Sequence, residues 1–191
     1  MLPRTLLGFC LCAGLAVGAW GCQPQEGGEA MEEEGEEMME EEGGEMMGQV
    51  EMPDTTGAAL WSHLESVDYR ANWELWPGKG ELYQGQEPHG ALLTTYLNSE
   101  AHEALTGMAG SMPAGAIIVK ENYMPDSTLA ATTVMYKVDG YDPDNNNWFW
   151  LKRLADGTIE VEGRGTGCIS CHSAQADNDY IYTGSLGGGG M

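Results

Sequence analysis

Alternating apolar and polar positions predict a run of short strands in the second half of the chain. In residues 91–97, side chains alternate between the two sides of an extended backbone, and β-branched or aromatic residues are frequent. The predicted strands are residues 91–97, 116–123, 132–138, 148–154 and 158–162, with a hairpin turn at Asp156–Gly157 before the last. Strands that follow one another through tight turns indicate a mainly antiparallel β-sheet, and with a few helices the fold class is α+β.

Two short helices are predicted beside these strands. Asp54 is expected to cap the first, and Ser99 is expected to cap the second, which ends at Gly107. The apolar side of the first helix is expected at Ala58, Leu60, Trp61 and Leu64. Residues 73–80 are interpreted as a turn-rich connection inside a single domain of residues 54–185. The tryptophans expected in the core are Trp61, Trp73, Trp76, Trp148 and Trp150.

Residues 1–21 have the pattern of a lipoprotein signal peptide. Arg4 supplies the positive charge, and Leu6–Val17 form an apolar segment too short to span a bilayer. Small residues then precede Cys22, which resembles a bacterial lipobox with an acylated cysteine. An ordinary secretory cleavage that leaves Cys22 as a free thiol is the alternative. We therefore expect a lipid-anchored protein of the bacterial cell envelope, in the periplasm or at the cell surface, and Gln23 favours the outer membrane.

An acidic segment follows the predicted anchor. Residues 22–53 contain 12 glutamates and no Lys or Arg, and the chain has a formal charge of −22. Charge repulsion and frequent glycine predict a disordered tether, although a methionine-rich copper or docking motif is the alternative interpretation. The charge excludes nucleic acid and anionic lipid head groups as partners. At the other end, residues 186–191 are predicted to be a frayed glycine-rich tail.

Cys168-Ile-Ser-Cys171-His172 is the attachment sequence of a c-type haem. One helical turn separates the two thiols, which suits the two vinyl groups of the porphyrin, and His172 is then the proximal ligand of the iron. The alternatives are a thioredoxin-like redox pair, a zinc site and a disulfide. A zinc site would need a second pair of cysteines, and none is left: the signal cysteines are removed with the signal peptide, and Cys22 carries the lipid. We predict one covalently attached haem c.

The position of the motif limits which residues could bind the iron opposite His172. Only 19 residues follow His172, and the single methionine among them is Met191. A sixth ligand would have to come from earlier in the chain. The candidates are Met108, Met112, Met124, Met135, His63, His89 and His102. We expect an open or weakly filled sixth position, which favours binding of a small diatomic gas or redox chemistry on a small molecule.

Four segments in this order resemble the cytochrome P-460 and cytochrome c′-beta superfamily. They are residues 112–122, 134–137, 147–150 and 168–172, and the similarity extends over residues 69–183. The resemblance implies an antiparallel sheet with helices packed around a c-haem near the C-terminus, often in a homodimer. It also implies a redox partner protein and a small diatomic or nitrogen-oxide ligand.

The same resemblance singles out Lys120. Enzymatic members carry a lysine at this place that is covalently bonded to the haem macrocycle, and they oxidise hydroxylamine. An ion pair with Glu121 or another carboxylate is the alternative role for Lys120. The enzymes also place a glutamate on the following strand, where this chain has residues 133–136 without a carboxylate. A ligand-binding or electron-transfer haem protein is therefore the first hypothesis, and a hydroxylamine or nitrogen-oxide oxidoreductase with a Lys120 cross-link is the second.

Overall fold

The computed structural model describes residues 52–187, which form an antiparallel sheet of seven strands with four α-helices. The helices are α1 (Gly57–Ser66), α2 (Tyr69–Asn72), α3 (Ser99–Thr106) and α4 (Thr166–His172). The strands are β1 (Glu74–Leu75), β2 (Tyr83–Gln84), β3 (Leu92–Leu97), β4 (Ile117–Tyr123), β5 (Leu129–Lys137), β6 (Trp148–Leu154) and β7 (Ile159–Gly163). The predicted α+β class is confirmed. The signal peptide, Cys22 and nearly all of the tether lie outside the described residues.

The strand order is β1-β3-β4-β5-β6-β7, and β2 also pairs with β3. From β3 to β7, spatial neighbours are sequence neighbours, as the tight turns predicted. The turn before β7 is the predicted one, with Gly157 at φ +94° and the Asp156 carboxylate accepting a hydrogen bond from Thr158 N. Within residues 52–187, no helix has both the length and the apolar character needed to cross a bilayer.

Each face of the sheet covers its own core, because successive residues of a strand point to opposite sides. Ile117 and Val119 of β4 face a core shared with Leu60 of α1. Ile118 points to the other face, where α3, α4 and the C-terminal segment pack. The second core contains Leu97, Ala101, Leu105, Ile118, Trp148, Trp150 and Ile181, with Cys168 and Ile169 of α4 against it. The predicted haem motif thus lies on the second face.

Both predicted helix caps are wrong by one or two residues. Thr56, not Asp54, caps α1, and its hydroxyl accepts a hydrogen bond from Ala59 N. A tertiary contact helps to set this start, since Gly57 N donates to the Glu162 carboxylate of β7 at 2.8 Å. For α3, the Asn98 side chain is the cap, and Ser99 is the first helical residue.

The three shortest of the α-helices and β-strands, α2, β1 and β2, were not predicted from the sequence. The connection at residues 73–80 contains β1, and α2 and β2 had no counterpart in the prediction, because elements of two to four residues show no periodicity. Trp76, Trp148 and Trp150 are buried as predicted, whereas Trp61 and Trp73 are only partly buried against the first core. Ala58 is exposed rather than apolar-facing.

The predicted tail begins too early. Leu186 is fully buried, and its carbonyl accepts a hydrogen bond from Gly110 N at 2.7 Å. Gly187 forms a β-bridge with Ala109. The ordered domain therefore includes both residues, because the C-terminal segment completes the second core.

Candidate functional site

The Cys-x-x-Cys-His segment forms the C-terminal part of helix α4, which follows β7 after a two-residue connection. Gly165 precedes the helix, and a Cβ atom there would lie 2.6 Å from Val161 Cγ1, so only glycine lets the helix pack this closely on the strand. Cys168 is half-buried, Cys171 is exposed, and both thiols are free. Residues three apart on a helix are neighbours on its surface, so the two sulfurs are presented together with His172 one residue further.

The imidazole of His172 is held in a single tautomer. Its Nδ1 lies 2.7 Å from the carbonyl oxygen of Tyr180, which can only accept a hydrogen bond, so Nδ1 carries the proton. Burial lowers the pKa of His172, although this hydrogen bond opposes the shift. The ring is thus neutral, with the lone pair of Nε2 available to a metal. A carbonyl that orients the ring in this way is typical of histidine ligands.

His172 and Lys120 share a small pocket on the second face of the sheet. The other lining residues are Trp76, Ile118, Met135, Ile181, Tyr182 and Thr183, and no carboxylate is among them. The enclosed volume is about 20 Å³, far less than a porphyrin needs. On its solvent side the site has Tyr182, which is half-exposed, and the exposed Cys171 one residue before His172.

The ammonium of Lys120 has no ion-pair or hydrogen-bond partner within residues 52–187. Desolvation lowers its pKa from 10.5 to about 8. The alternative of an ion pair with Glu121 is wrong, because adjacent residues of a strand point to opposite faces. Glu121 is buried beneath the other face, where its carboxylate accepts hydrogen bonds from Tyr69 Oη, Tyr123 Oη and the guanidinium of Arg70.

The candidates for a sixth iron ligand are distributed over the whole domain. Met108 and Met124 are exposed, and Met112 is buried. His63 and His102 lie on α1 and α3. Two candidates lie near His172. Met135 lines the same pocket, and the ring centroid of His89 is 6.3 Å from that of His172.

The buried indole N–H of Trp150 indicates that a hydrogen-bond acceptor from outside the protein chain belongs at this site. Its indole ring packs against His172 with ring centroids 4.8 Å apart, and its buried Nε1–H has no acceptor within residues 52–187. A buried donor without a partner is unfavourable by roughly 1–3 kcal/mol. The carboxylate of a haem propionate is an acceptor of the required kind. The two thiols, the free Nε2 of His172, the unpaired Lys120 and this donor together fit a haem.

Sequence reasoning did not identify two parts of this site. Trp150 was assigned to the core, and only the structure reveals its unsatisfied N–H. The orienting group for His172 is a backbone carbonyl, for which a sequence carries no signal. Asn122, whose side-chain oxygen lies 3.0 Å from Nδ1 of His89, could have been found, since it follows Lys120 by two residues and therefore shares its face of β4.

The chain was compared with known protein families and with curated proteins. Residues 71–183, more than half of the chain, match the family described as Cytochrome P460. No curated protein matched the chain. The matched segment runs from within α2 to Thr183, the last residue that lines the pocket, and it includes Lys120 and the whole of α4. The chain belongs to the cytochrome P460 family.

Proposed function

We propose that this protein is an exported c-type cytochrome with a single haem attached to Cys168 and Cys171 and with His172 as the proximal iron ligand. Its sixth iron position is open or weakly filled, and it binds a small ligand such as nitric oxide, transfers electrons, or does both. The observation that carries the proposal is the neutral His172 ring, fixed through Nδ1 one residue after the second thiol, with its Nε2 free.

The pocket chemistry favours binding over proton-coupled oxidation. When bound, the haem supplies an iron centre that coordinates diatomic molecules and exchanges single electrons. Around it the chain supplies Ile118, Met135 and Trp76, which exclude water, and no carboxylate that would take protons from a nitrogen substrate. The exposed side of the pocket, at Cys171 and Tyr182, gives a redox partner protein a short approach to the haem edge.

The visible spectrum of the ferrous protein, with and without nitric oxide, tests this function. Binding should shift the Soret band in a saturable way, and the spectrum without ligand should be that of an ordinary c-type haem. A spectrum that does not respond to nitric oxide or carbon monoxide would leave electron transfer as the remaining role. A Soret band far to the red would instead indicate a distorted, cross-linked macrocycle.

The alternative is a hydroxylamine or nitrogen-oxide oxidoreductase in which Lys120 is bonded to the haem. The unpaired amine and its pKa of about 8 favour this candidate, because roughly a tenth of such an amine is neutral and nucleophilic at pH 7. Tryptic peptides separate the two functions. Trypsin cleaves after Lys120 only when its amine is free, so an unmodified peptide ending at Lys120 excludes the cross-link. We expect that peptide, since the pocket lacks the proton-accepting carboxylate.

The envelope location and the lipid anchor on Cys22 belong to the same proposal. The signal pattern of residues 1–21 supports them, and so does the haem motif itself, since c-type haem is expected on an exported protein. The tether of residues 22–53 would then hold the domain away from the membrane, within reach of its partner.

A further inference from the structure

Two histidine rings meet on the second face of the sheet, and only one of them belongs to the haem motif. His89 lies in the loop between β2 and β3, and its ring centroid is 6.3 Å from that of His172, with the ring planes at 86°. The loop is closed by a hydrogen bond from Gly85 N to Ala91 O. Gly90 lets it approach β4, because a Cβ there would lie 2.5 Å from Tyr123 N. The loop thus places His89 beside the motif histidine.

The tautomer of His89 follows from its partner, Asn122. The Asn122 amide nitrogen donates to the carbonyl oxygens of Lys120 and Ala131, at 3.0 and 3.2 Å, and these oxygens can only accept. Its Oδ1 must therefore face His89, where it lies 3.0 Å from Nδ1. Nδ1 of His89 carries the proton, and Nε2 has a lone pair with no hydrogen-bond partner within residues 52–187.

His89 and His172 are consequently prepared in the same way. Each is a neutral imidazole whose Nδ1–H is bonded to a fixed oxygen and whose Nε2 is free. Nδ1 bonding of this kind orients histidines that bind metals through Nε2. His63 and His102, the other two histidines of the chain, have no such side-chain hydrogen bond within residues 52–187.

The distance between the two ring centroids equals the one expected for two imidazoles on opposite sides of one metal ion. A metal–imidazole bond is about 2.0–2.1 Å long and the ring centre lies about 1.1 Å behind the nitrogen, so two such rings have centroids about 6.3 Å apart. The observed distance is 6.3 Å. We propose that His89 is the exchangeable sixth ligand of the haem iron, opposite His172.

This inference rests on the proposed haem attachment and specifies what fills the sixth position. The bond forms by donation of the Nε2 lone pair to iron, and no proton moves, because Nδ1 keeps its hydrogen. A small ligand then binds only after the iron–His89 bond breaks. The apparent affinity for that ligand is reduced by the fraction of protein in which His89 is bound. Met135 and Lys120, which line the pocket beside His172, are the competing ligands.

Spectroscopy of the intact ferric holoprotein identifies the axial pair directly. Near-infrared magnetic circular dichroism distinguishes His/His from His/Met and His/Lys coordination without any substitution. We expect a low-spin His/His haem. A high-spin haem, or a His/Met or His/Lys signature, would overturn the assignment. Haem that acid solvent extracts would instead refute the covalent attachment on which the inference rests, so the two failures are distinguishable.

Variants then identify which histidine is bound. His89→Ala and the less disruptive His89→Gln should become high-spin, and added imidazole should restore the low-spin spectrum in His89→Ala. Carbon monoxide binding to the ferrous protein should accelerate about tenfold or more. His63→Ala and His102→Ala are the matched controls and should keep the wild-type spectrum. A low-spin His/His haem that persists in both His89 variants, or is lost in a control, would contradict the role of His89.

Discussion

Two neighbouring residues of β4, Lys120 and Glu121, have opposite environments although both are charged. Glu121 is buried with three donors around its carboxylate, whereas Lys120 faces the pocket without a partner within residues 52–187. An ion pair between the two was one of the alternatives that the sequence left open. Strand geometry forbids it, since consecutive side chains point to opposite faces. The lysine therefore keeps the full desolvation effect, which is the reason for its lowered pKa.

Lys120→Met should stabilise the protein at pH 7 if the lysine is not cross-linked. The folded protein releases the Lys120 proton near pH 8 and the unfolded chain near 10.5, so folding disfavours the charged form. The buried ammonium therefore lowers the free energy of unfolding by its full amount below pH 8, and this loss of stability disappears as the pH rises towards 10.5. After discounting for solvent screening of a partly exposed side chain, we expect a gain of about 1–2 kcal/mol in the free energy of unfolding.

Urea unfolding followed by circular dichroism at pH 7 and pH 10 measures this effect. The stability difference between Lys120→Met and the wild type should narrow at the higher pH. Lys79→Met, which changes an exposed lysine, is the control and should leave the stability nearly unchanged at both pH values. A Lys120→Met protein that is less stable than wild type at pH 7 would show that the ammonium has a favourable partner.

At the scale of elements, Glu121 joins the helical segment before the sheet to the central strand. Tyr69 and Arg70 belong to α2, and both bind the Glu121 carboxylate of β4. Burial raises the pKa of the Tyr69 hydroxyl, and the negative charge of Glu121 raises it further. This network explains why a four-residue helix is stable here, although so short a helix is marginal in isolation.

Glu121→Gln should destabilise the domain by about 2–4 kcal/mol, because it removes a buried charge that three donors share and leaves the guanidinium without its counter-ion. Glu160→Gln is a matched control. Glu160 pairs with Lys152 at 2.5 Å, but both side chains are well exposed, so its loss should change stability by about 1 kcal/mol or less. Equal effects of the two substitutions in thermal or urea unfolding would contradict a special role for the buried network.

The elements also differ in how far the sequence predicted them. The strands β3, β4 and β6 were predicted within about one residue, because alternation over six or seven positions is a strong signal. The start of α1 was missed because it depends on Glu162, more than a hundred residues later in the chain. Within the site, the Cys-x-x-Cys-His pattern can be recognised in the sequence, but the placement of His89 depends on a loop and on Asn122, which no local pattern reveals.

At the scale of the whole molecule, membrane association should depend on Cys22. Each buried acyl methylene contributes about 0.8 kcal/mol, so two or three chains hold a protein firmly. Cys22→Ala should therefore release a soluble form with unchanged haem content. Fractionation of cells that express each form measures this. A Cys22→Ala protein that stays in the membrane fraction would contradict the anchor.

The attachment of a single haem to α4 is the central claim, and mass spectrometry of the mature protein tests it most directly. Trypsin cleaves after Arg164 and no Lys or Arg follows, so Cys168, Cys171 and His172 lie in one C-terminal peptide. After extraction with acidic solvent, this peptide should retain the mass of one haem. The Cys168→Ala, Cys171→Ala double variant should lose its haem in the same extraction. A wild-type peptide of unmodified mass, with haem in the solvent, would contradict the account.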